Sequence, residues 1–323
     1  MKTTQRQKTS LDIVTSTLNE VENIGELYLR INRVMTNEPN YSWRLIVCDN
    51  FSMDKTWDVI NTLANQDSRV LGIRLTRNFK LDNSLSCGLD HCEADAAIFM
   101  TSDLEDPPET IPTFLRLYEA GNLHIAAQIK EREGISFTRK VFTKLFYFLI
   151  KKLSNNLILP NISDFRLVDR KVYLAAKSFP ERNRFIRGIF AWTGYEVKYF
   201  PLKRPRRKSG KSDFESKKFL FLIDQSLEYI YAFSRVPLKI ISLLGVLLGF
   251  LGLGFLVFFV FLTLNNGVPF AGFGSIVSIF ILCFAVTFIN LGVLGSYLGL
   301  IYEEVKLRPN YIILESTKRN NEI

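Results

Sequence analysis

Residues 11–130 alternate short apolar runs with amphipathic stretches. Five runs rich in β-branched and other apolar residues predict strands, at 11–18, 44–49, 70–76, 96–102 and 123–129. The stretches between them carry apolar residues at helical spacing and predict helices, at 21–36, 55–65, 83–92 and 109–120. This alternation predicts an α/β fold with a mostly parallel sheet and helices on both faces.

The C-terminal part of the chain follows a different pattern, because two long stretches contain no charged residue. They run over 240–264 and 274–302, and each is longer than the roughly 20 residues that cross the hydrocarbon layer. We therefore predict two transmembrane helices. The segment between them is uncharged, whereas basic residues such as Lys239 and Lys306 lie outside the pair. The positive-inside bias then predicts that both termini are cytoplasmic.

Two further stretches predict helices beside the membrane. Residues 137–152 interleave apolar and basic side chains at helical spacing, which suits either the headgroup layer or packing on the chain's own domain. Residues 216–236 predict a juxtamembrane helix that leads into the first span. Glycines spaced four apart in both spans let helices approach closely, so a homo-oligomer is also an expectation.

The composition adds a basic balance to this pattern. The chain has 323 residues and a formal net charge of +9, with lysines and arginines concentrated in 130–152 and 203–218. Anionic lipid headgroups or phosphorylated substrates are natural partners for such clusters, whereas no nucleic-acid motif accompanies them. The four cysteines lack CxxC spacing and fit a reducing compartment. The first ten residues have no apolar core, so no cleavable signal peptide is predicted.

Three acidic residues lie where predicted strands end. Glu20 follows the first strand, Asp49 ends the second, and Asp103 follows the fourth. Ligands of α/β sheets bind beyond the carboxyl ends of the strands, so we expect these acids to meet at one edge. No GxGxxG motif occurs in this region, which argues against a dinucleotide site of the usual kind.

The segment "SDLEDPPE" at 102–109 divides its acids between two roles. Pro107 suits the first position of a helix, so Asp106 before it would be the N-cap residue. Glu109 would then be at the third position, from which its side chain reaches back to the N-cap as in a capping box. We therefore predict that Asp106 caps a helix. Asp103 and Glu105 lie on the loop that leaves a strand, where carboxylates suit a hard divalent cation held together with substrate phosphates. Such a cation stabilises a diphosphate leaving group, which points to a phosphorylated donor.

Six segments in chain order resemble family-2 glycosyltransferases. They are closest to the polyisoprenyl-phosphate glycosyltransferases, which include dolichol-phosphate mannose synthases and bactoprenol glucosyltransferases. The segments are "LNE" (18–20), "DNFSMDKT" (49–56), "LTRNFKLDNSLSCGLDH" (75–91), "SDLEDPPE" (102–109), "SDFRLVDRKV" (163–172) and "FPERNRFIRGIFAWTGY" (179–195). The likeness runs from about residue 10 to 314 and includes both predicted spans and the "YEEVKLRPNYII" that ends the second one.

The resemblance implies a GT-A fold on a membrane anchor. The implied regions are a nucleotide-sugar-binding core (1–134), an acceptor-side and juxtamembrane part (135–236), a transmembrane hairpin (237–305) and a cytoplasmic tail (306–323). The implied reaction is metal-dependent transfer of a sugar, with inversion, from a nucleotide sugar to polyprenyl phosphate at the cytoplasmic face of the inner membrane. Its product would serve cell-envelope glycan modification, such as that of O-antigen. UDP-glucose is favoured as donor, with UDP-N-acetylhexosamine, GDP-mannose or a catalytically degenerate scaffold as alternatives.

The resemblance also implies roles for individual residues. The donor nucleotide would be bound by Thr17, Glu20, Asp49, Ser102, Asp103 and Arg207. Mg²⁺ or Mn²⁺ would be held by Asp103 and Glu105, and the catalytic acids would be Asp103 and Asp164. The lipid phosphate would be received by Lys130, Arg132, Arg139 and Thr143. Three residues depart from the family pattern, which usually has aspartate, glycine and proline at the positions of Thr101, Lys80 and Ser16.

Ordinary structural roles remain open for several of these residues. Asp49 followed by asparagine is also typical of a turn after a strand. Arg139 and Thr143 also fit a solvated helix face, and Asp164 also fits an ion pair with its neighbour Arg166.

Overall fold

A computed structural model describes residues 8–129, 162–181, 184–203, 236–266 and 272–317. These residues form two compact units, of which the first holds everything described before residue 204 together with 308–317. The second unit holds the described residues from 236 to 307. The predicted helix over 137–152, and all but the last residue of the one over 216–236, lie outside the described residues.

The first unit contains all five predicted strands and all four predicted helices. Its described strands are β1 (Thr9–Thr17), β2 (Tyr41–Asp49), β3 (Val70–Leu75), β4 (Ala96–Thr101), β5 (His124–Ile129), β6 (Ile162–Asp169), β7 (Val197–Leu202) and β8 (Ile313–Ser316). Its described helices are α1 (Val21–Thr36), α2 (Thr56–Gln66), α3 (Leu81–Asp90), α4 (Ile111–Glu119), α5 (Arg170–Lys177) and α6 (Ile186–Trp192). A 3₁₀ turn over Pro108–Thr110 precedes α4, so that helix begins two residues later than predicted.

One sheet holds the strands in the order β7-β5-β6-β4-β1-β2-β3-β8. The central strands β4, β1, β2 and β3 are parallel, as predicted. Strand β6 lies between β4 and β5 and is antiparallel to both, and β8 pairs antiparallel with β3 at the edge. Strand β7 at the other edge pairs parallel with β5. The prediction of a mostly parallel sheet is therefore confirmed, although the sequence pattern did not predict β6, β7 or β8, and β6 and β8 are antiparallel to their neighbours.

The apolar core is split between the two faces of the sheet, as the alternation predicted. Helices α1, α2 and α4 bury residues such as Leu27, Ile60 and Phe114 against one face. Helices α3, α5 and α6 bury residues such as Leu85 and Tyr173 against the other. Each such side chain stabilises the fold by roughly 1.5–3 kcal/mol through its removal from water. Both faces of the sheet are therefore covered by helices.

Helix α3 lies unusually close to the sheet at Gly88. A Cβ atom at this position would come within 2.2 Å of Val14 Cγ1 on β1 and 3.4 Å of Cys48 Sγ on β2. Only glycine permits this approach without displacing the helix. The close packing fixes the helix that follows β3, and with it the loop at the end of that strand.

The second unit consists of two long helices, α7 (Val236–Asn266) and α8 (Phe273–Val305). Among the described residues, Cys283–Val305 is long and apolar enough to cross a membrane. The prediction of a first span over 240–264 is not matched in this way, because the described apolar stretch of α7 is the shorter Ile241–Phe255. One membrane-competent helix therefore stands among the described residues. Large apolar side chains are exposed on both helices, including Phe250 and Phe288.

Candidate active site

The carboxyl ends of β1, β2 and β4 meet at one edge of the sheet. Thr17 is the register partner of Asp49 in the β1–β2 pair, and Ser16 is the partner of Thr101 in the β1–β4 pair. Because β1 lies between the other two strands, the loops that follow the three strands are neighbours. The expectation that the acids after these strands share one edge is confirmed.

The loop after β1 is tied to the loop after β2 by hydrogen bonds. Asn19 adopts a left-handed conformation with φ 54°, which asparagine tolerates better than most residues. Its backbone N–H donates to Ser52 Oγ at 2.9 Å, and its Oδ1 accepts from the Met53 N–H at 2.8 Å. Glu20 is buried, and its Oε2 accepts from Asn23 Nδ2 at 2.5 Å. The two loops thus form one rigid rim.

Asp49 is completely buried at the end of β2. Its Oδ1 accepts from the Ser52 N–H at 3.0 Å and from the Ser52 hydroxyl at 2.5 Å. Its Oδ2 lies 3.4 Å from Arg74 Nε but makes no hydrogen bond among the described residues. Burial raises the pKa of Asp49, and the Ser52 hydrogen bonds and the Arg74 charge oppose that rise. A buried acceptor of this kind is the sort of atom that a ligand hydroxyl or N–H satisfies.

Two other predicted donor-binding residues support the backbone of this edge. The Thr17 hydroxyl is buried and makes no hydrogen bond among the described residues, while the Thr17 carbonyl accepts from the Asn50 N–H at 2.9 Å. The Ser102 hydroxyl donates to the Ser16 carbonyl at 3.0 Å. Through these side-chain and backbone contacts, β1 holds the loops after β2 and β4 in place.

The loop after β4 is a tight turn organised by Thr101. The Thr101 hydroxyl lies 2.7 Å from Asp103 Oδ1 and 3.0 Å from Asp106 Oδ2, and the Thr101 N–H donates to Asp106 Oδ2 at 3.1 Å. The Glu105 N–H donates to Asp103 Oδ1 at 3.1 Å, and Leu104 between them has φ 62°. The Thr101 hydroxyl therefore lies between two carboxylates, where a third carboxylate would repel both.

The prediction that Asp106 caps a helix is wrong. Asp106 is completely buried, and its carboxylate binds back to Thr101 and accepts from the Ser163 hydroxyl of β6 at 3.3 Å. The 3₁₀ turn that follows begins without a side-chain cap. Glu109 does not reach back but makes two hydrogen bonds to Arg30, at 2.8 and 2.5 Å. A buried carboxylate must be hydrogen-bonded, and Thr101 at the end of β4 and Ser163 on β6 supply the hydrogen bonds.

Asp103 has one carboxylate oxygen available for the divalent cation that the sequence predicts it to hold together with Glu105. Asp103 is partly buried, and its Oδ2 makes no hydrogen bond among the described residues. No group of three or more His, Cys, Asp and Glu side chains lies ready for a metal in the described part of the chain. Mg²⁺ and Mn²⁺ need no such cage, because they take one or two carboxylates and complete their shell with water and phosphate oxygens.

Asp164 reaches the same edge because β6 runs antiparallel to β4. Arg187 of α6 donates two hydrogen bonds to it, from Nε to Oδ1 and from Nη2 to Oδ2, both at 2.5 Å. Arg166 is a weaker partner, with Nη2 at 3.9 Å from Asp164 Oδ1, and burial lowers the Arg166 pKa to about 10. The Asp164–Arg166 ion pair that the sequence left open is therefore present at 3.9 Å, but the main partner of Asp164 is Arg187. A bidentate arginine fixes the carboxylate plane as well as its charge.

Five predicted site residues cannot be placed. The predicted phosphate-binding residues lie outside the described part of the chain, namely Lys130, Arg132, Arg139, Thr143 and Arg207. Their roles remain predictions.

The structure brings two arginines to the site that sequence reasoning did not assign. Arg74 lies within the buried strand β3 and contacts Asp49, and Arg187 holds Asp164. A signal for Arg74 exists in the sequence, because a charged residue inside the apolar run "VLGIRL" requires a partner. No comparable signal marks Arg187, because its side chain is 39% exposed and its charge alone requires no protein partner.

A family comparison agrees with this arrangement of fold and edge. The chain matches the model of glycosyl transferase family 2 over residues 12–175, which covers β1 to most of α5. The chain belongs to this family and is a glycosyltransferase.

Its similarity to particular members extends beyond the matched domain. The chain is 34% identical over 310 residues to the SfII prophage-derived bactoprenol glucosyl transferase of Shigella flexneri, which covers 96% of this chain and 99% of that protein. It is also 34% identical over 303 residues to an uncharacterised glycosyltransferase of Synechocystis, covering 94% of each. Among solved structures, it is similar to glucosyl-3-phosphoglycerate synthase of Mycobacterium tuberculosis, with 17% identity and a TM-score of 0.49 over 69% of this chain and 76% of that one.

Proposed function

We propose that this glycosyltransferase transfers a sugar, with inversion, from a nucleotide sugar to polyprenyl phosphate, and that UDP-glucose is the donor. The observation that carries the proposal is the shared edge at which Asp49, Asp103 and Asp164 meet, in a chain whose relatives over nearly full length include bactoprenol glucosyl transferases. Each acid has a separate environment, so each suits a separate part of the reaction.

The donor half of the site is assigned to the ends of β1, β2 and β4. Asp49 Oδ2, which accepts no hydrogen bond among the described residues, and the buried Glu20 suit the hydroxyls and N–H groups of a nucleoside. Asp103, with Glu105, would hold Mg²⁺ or Mn²⁺ at the diphosphate. When bound, such an ion neutralises charge on the leaving nucleotide. The Thr101 hydroxyl and the Glu105 N–H keep Asp103 aimed by fixing one oxygen and leaving the other available.

The acceptor half needs positioning more than it needs a strong base. A polyprenyl phosphate is already anionic, so its oxygen attacks the anomeric carbon without first losing a proton to the protein. Asp164 is fixed by Arg187 in a rigid plane, which suits orientation of the sugar or the incoming phosphate. The lipid phosphate itself is assigned to Lys130, Arg132, Arg139 and Thr143, and the donor phosphates additionally to Arg207.

A membrane location with two crossings is part of the proposal. Strand β8 follows α8 in the chain and pairs with β3, which precedes α7. Two strands of one sheet lie on the same side of a bilayer, so the number of crossings between them is even. Because Cys283–Val305 qualifies as a span, this parity supports a second crossing through α7. With the basic flanking residues inside, the sheet and both termini are cytoplasmic, and the product serves cell-envelope glycan modification.

The first prediction concerns Asp103 and is the direct test of this function. Full-length protein in detergent is given polyprenyl phosphate and, in turn, UDP-glucose, UDP-N-acetylhexosamine and GDP-mannose, each with a labelled sugar. We expect label in the lipid with UDP-glucose, loss of it on chelation, and a fall of at least a hundredfold in Asp103→Asn, which keeps the size of the side chain. Restoration by Mg²⁺ or Mn²⁺ after chelation identifies the ion.

The control variant is Glu93→Gln, which removes a carboxylate that is 74% exposed. Glu93 lies just before β4, at the amino ends of the parallel strands, whereas the proposed site lies at their carboxyl ends. The activity of this variant should stay close to that of the wild type. Transfer with a different donor would correct only the sugar. A wild-type chain that is inert with every donor would favour the membrane scaffold instead.

A further inference from the structure

The last described strand of the protein contacts the donor side of the proposed site. Strand β8 is anchored on β3 by backbone hydrogen bonds on both sides of its short ladder. The Thr76 N–H donates to the Ile312 carbonyl at 3.0 Å, and the Thr317 N–H donates to the Gly72 carbonyl at 3.0 Å. The Gly72 N–H in turn donates to the Thr317 hydroxyl at 2.9 Å. The edge of the sheet is therefore completed by residues that follow the long helices.

This pairing brings a carboxylate beside Arg74. Glu315 is the register partner of Arg74, and Arg74 Nη1 donates to Glu315 Oε1 at 3.2 Å. Tyr311, just before the strand, donates its hydroxyl to Asp90 Oδ2 at 3.0 Å. The C-terminal segment is thus fixed at several points, and Glu315 has a defined place in the sheet.

Arg74 connects Glu315 to the nucleotide side of the site. Its Nε lies 3.4 Å from Asp49 Oδ2, and its Nη2 donates to the Ser52 carbonyl at 3.2 Å. Its guanidinium carbon lies 5.8 Å from the Phe51 ring centroid and 5.9 Å from that of Trp57. The same guanidinium therefore touches the buried acid, the loop after β2 and the C-terminal strand.

The chemistry of Arg74 explains why it needs a second carboxylate. Its Nε has no hydrogen bond among the described residues, so the contact with Asp49 is an ion pair of imperfect geometry. The Nη2 bond to the Ser52 carbonyl holds the guanidinium at a second point, and the Glu315 carboxylate at Nη1 holds it at a third, which restricts the guanidinium to one plane. Asp49 Oδ2 therefore makes no closer bond to Arg74 and remains available as a hydrogen-bond acceptor for a ligand.

We propose that Glu315 is a positioning residue that sets donor affinity by holding Arg74 beside Asp49. The inference rests on the proposed function, because it takes Asp49 as a contact of the donor nucleotide. Glu315 contacts Arg74 at 3.2 Å, so its proposed effect acts through that side chain. It belongs to a segment that lies beyond the matched family domain, which ends at residue 175.

The experiment compares Glu315→Gln with wild type in the full-length protein, in detergent, with UDP-glucose and polyprenyl phosphate. We expect the KM for UDP-glucose to rise about three- to fivefold, as expected for a partly exposed ion pair. The KM for the lipid and kcat should stay within error of the wild type. Binding of UDP, measured by calorimetry without acceptor, should weaken by the same factor. The matched control is Glu196→Gln, which removes an exposed carboxylate next to β7 at the far edge of the sheet.

A double-mutant cycle separates positioning from a general effect on folding. In an Asp49→Asn background, Glu315→Gln should no longer weaken UDP binding, because the contact through which it acts is gone. An equal loss in both backgrounds, an unchanged UDP affinity in the single variant, or an equal rise in the lipid KM would overturn the proposal. If Glu315→Gln folds poorly, Glu315→Asp keeps the charge and should lie between the two.

The same measurements distinguish the inference from the function on which it rests. An active wild type with an unaffected Glu315→Gln variant refutes the inference alone. A wild type that binds UDP but transfers nothing refutes the proposed reaction, and the calorimetric cycle still decides the role of Glu315. A wild type that binds no nucleotide refutes both.

Discussion

His124 is a buried histidine without a hydrogen-bond partner among the described residues. Both ring nitrogens are enclosed, the Phe190 ring centroid lies 5.9 Å away, and the Arg166 charge is nearby. Burial, with the Arg166 charge, lowers the pKa of His124 from 6.5 to about 3. The folded protein therefore keeps this ring neutral at pH values where the unfolded chain protonates it. Stability falls as the pH drops below the unfolded value toward the folded one.

The second prediction follows from this difference in pKa. Between pH 7 and pH 5, wild type should lose about 2 kcal/mol of unfolding free energy through His124, at about 1.4 kcal/mol per pH unit below its unfolded pKa. His124→Phe removes the titrating group and keeps an aromatic ring in an apolar environment, so its stability should depend less on pH. The measurement is urea unfolding of the full chain in detergent at several pH values.

His91 provides the internal control for this prediction. It is the other histidine of the chain, and its pKa is raised, chiefly by its contact with the Cys87 thiol. A raised pKa contributes stability that is present below the unfolded pKa and is lost as the pH rises through the folded pKa. His91→Gln should therefore leave the acid sensitivity in place. An equal effect of both substitutions would contradict the assignment to His124.

The acids of the site could be located from the sequence better than their partners. Asp49 and Asp103 follow apolar runs, and the carboxyl ends of parallel strands share an edge whatever the rest of the fold does. Arg187 and Ser163 could not be assigned in this way, because each contacts a residue that only the folded chain brings near. The role of Asp106 was predicted wrongly because an aspartate directly before a proline is typical of a helix N-cap. Its burial against β6 leaves no pattern in the sequence.

The packing of helix α3 on β1 depends on the absence of a side chain at Gly88. The third prediction is that Gly88→Ala lowers the unfolding free energy by about 1–3 kcal/mol, because its Cβ would lie 2.2 Å from Val14 Cγ1. Gly25 in α1 is the matched control, since a Cβ there meets nothing within 4 Å. Gly25→Ala should stabilise the protein by about 0.5–1 kcal/mol. Similar effects of the two substitutions in chemical unfolding would contradict close packing of α3.

The strands of the sheet differ in how clearly the sequence pattern predicts them. Strands β1 to β5 lie in apolar runs between helices of regular period, so their number and order followed from the pattern. Strand β6 carries Asp164 and Arg166 inside its run, and these charges hide it until the ion pair with Arg187 is known. Strand β8 has only four residues and follows a long apolar helix. Its partner, β3, lies far back in the chain, and no local pattern reports such a pairing.

The architecture of the whole molecule constrains how it crosses a membrane. Because β3 and β8 belong to one sheet, the proposed membrane location requires an even number of crossings between them. The fourth prediction uses two single cysteines in a chain whose exposed Cys283 has been replaced. Asn265→Cys, near the end of α7, should react with an impermeant maleimide added to intact cells. Leu314→Cys, exposed on β8, should react only after the membrane is opened.

Labelling of both cysteines from outside, or of neither in intact cells, would contradict a two-crossing arrangement. The three remaining native cysteines do not interfere, since Cys48, Cys87 and Cys92 are buried. Burial shields all three thiols from a bulky reagent. The experiment therefore reports on the introduced positions.

The position of β8 at the far end of the chain has a consequence for biosynthesis. A ribosome makes β1 to β7 first, then the two long helices, and only afterwards the strand that covers the edge of β3 and carries Glu315. During synthesis, both long helices therefore exist before β8 is available to pair with the edge of β3. With the donor site as proposed, the contact of Glu315 with Arg74 forms only after both long helices have been synthesised.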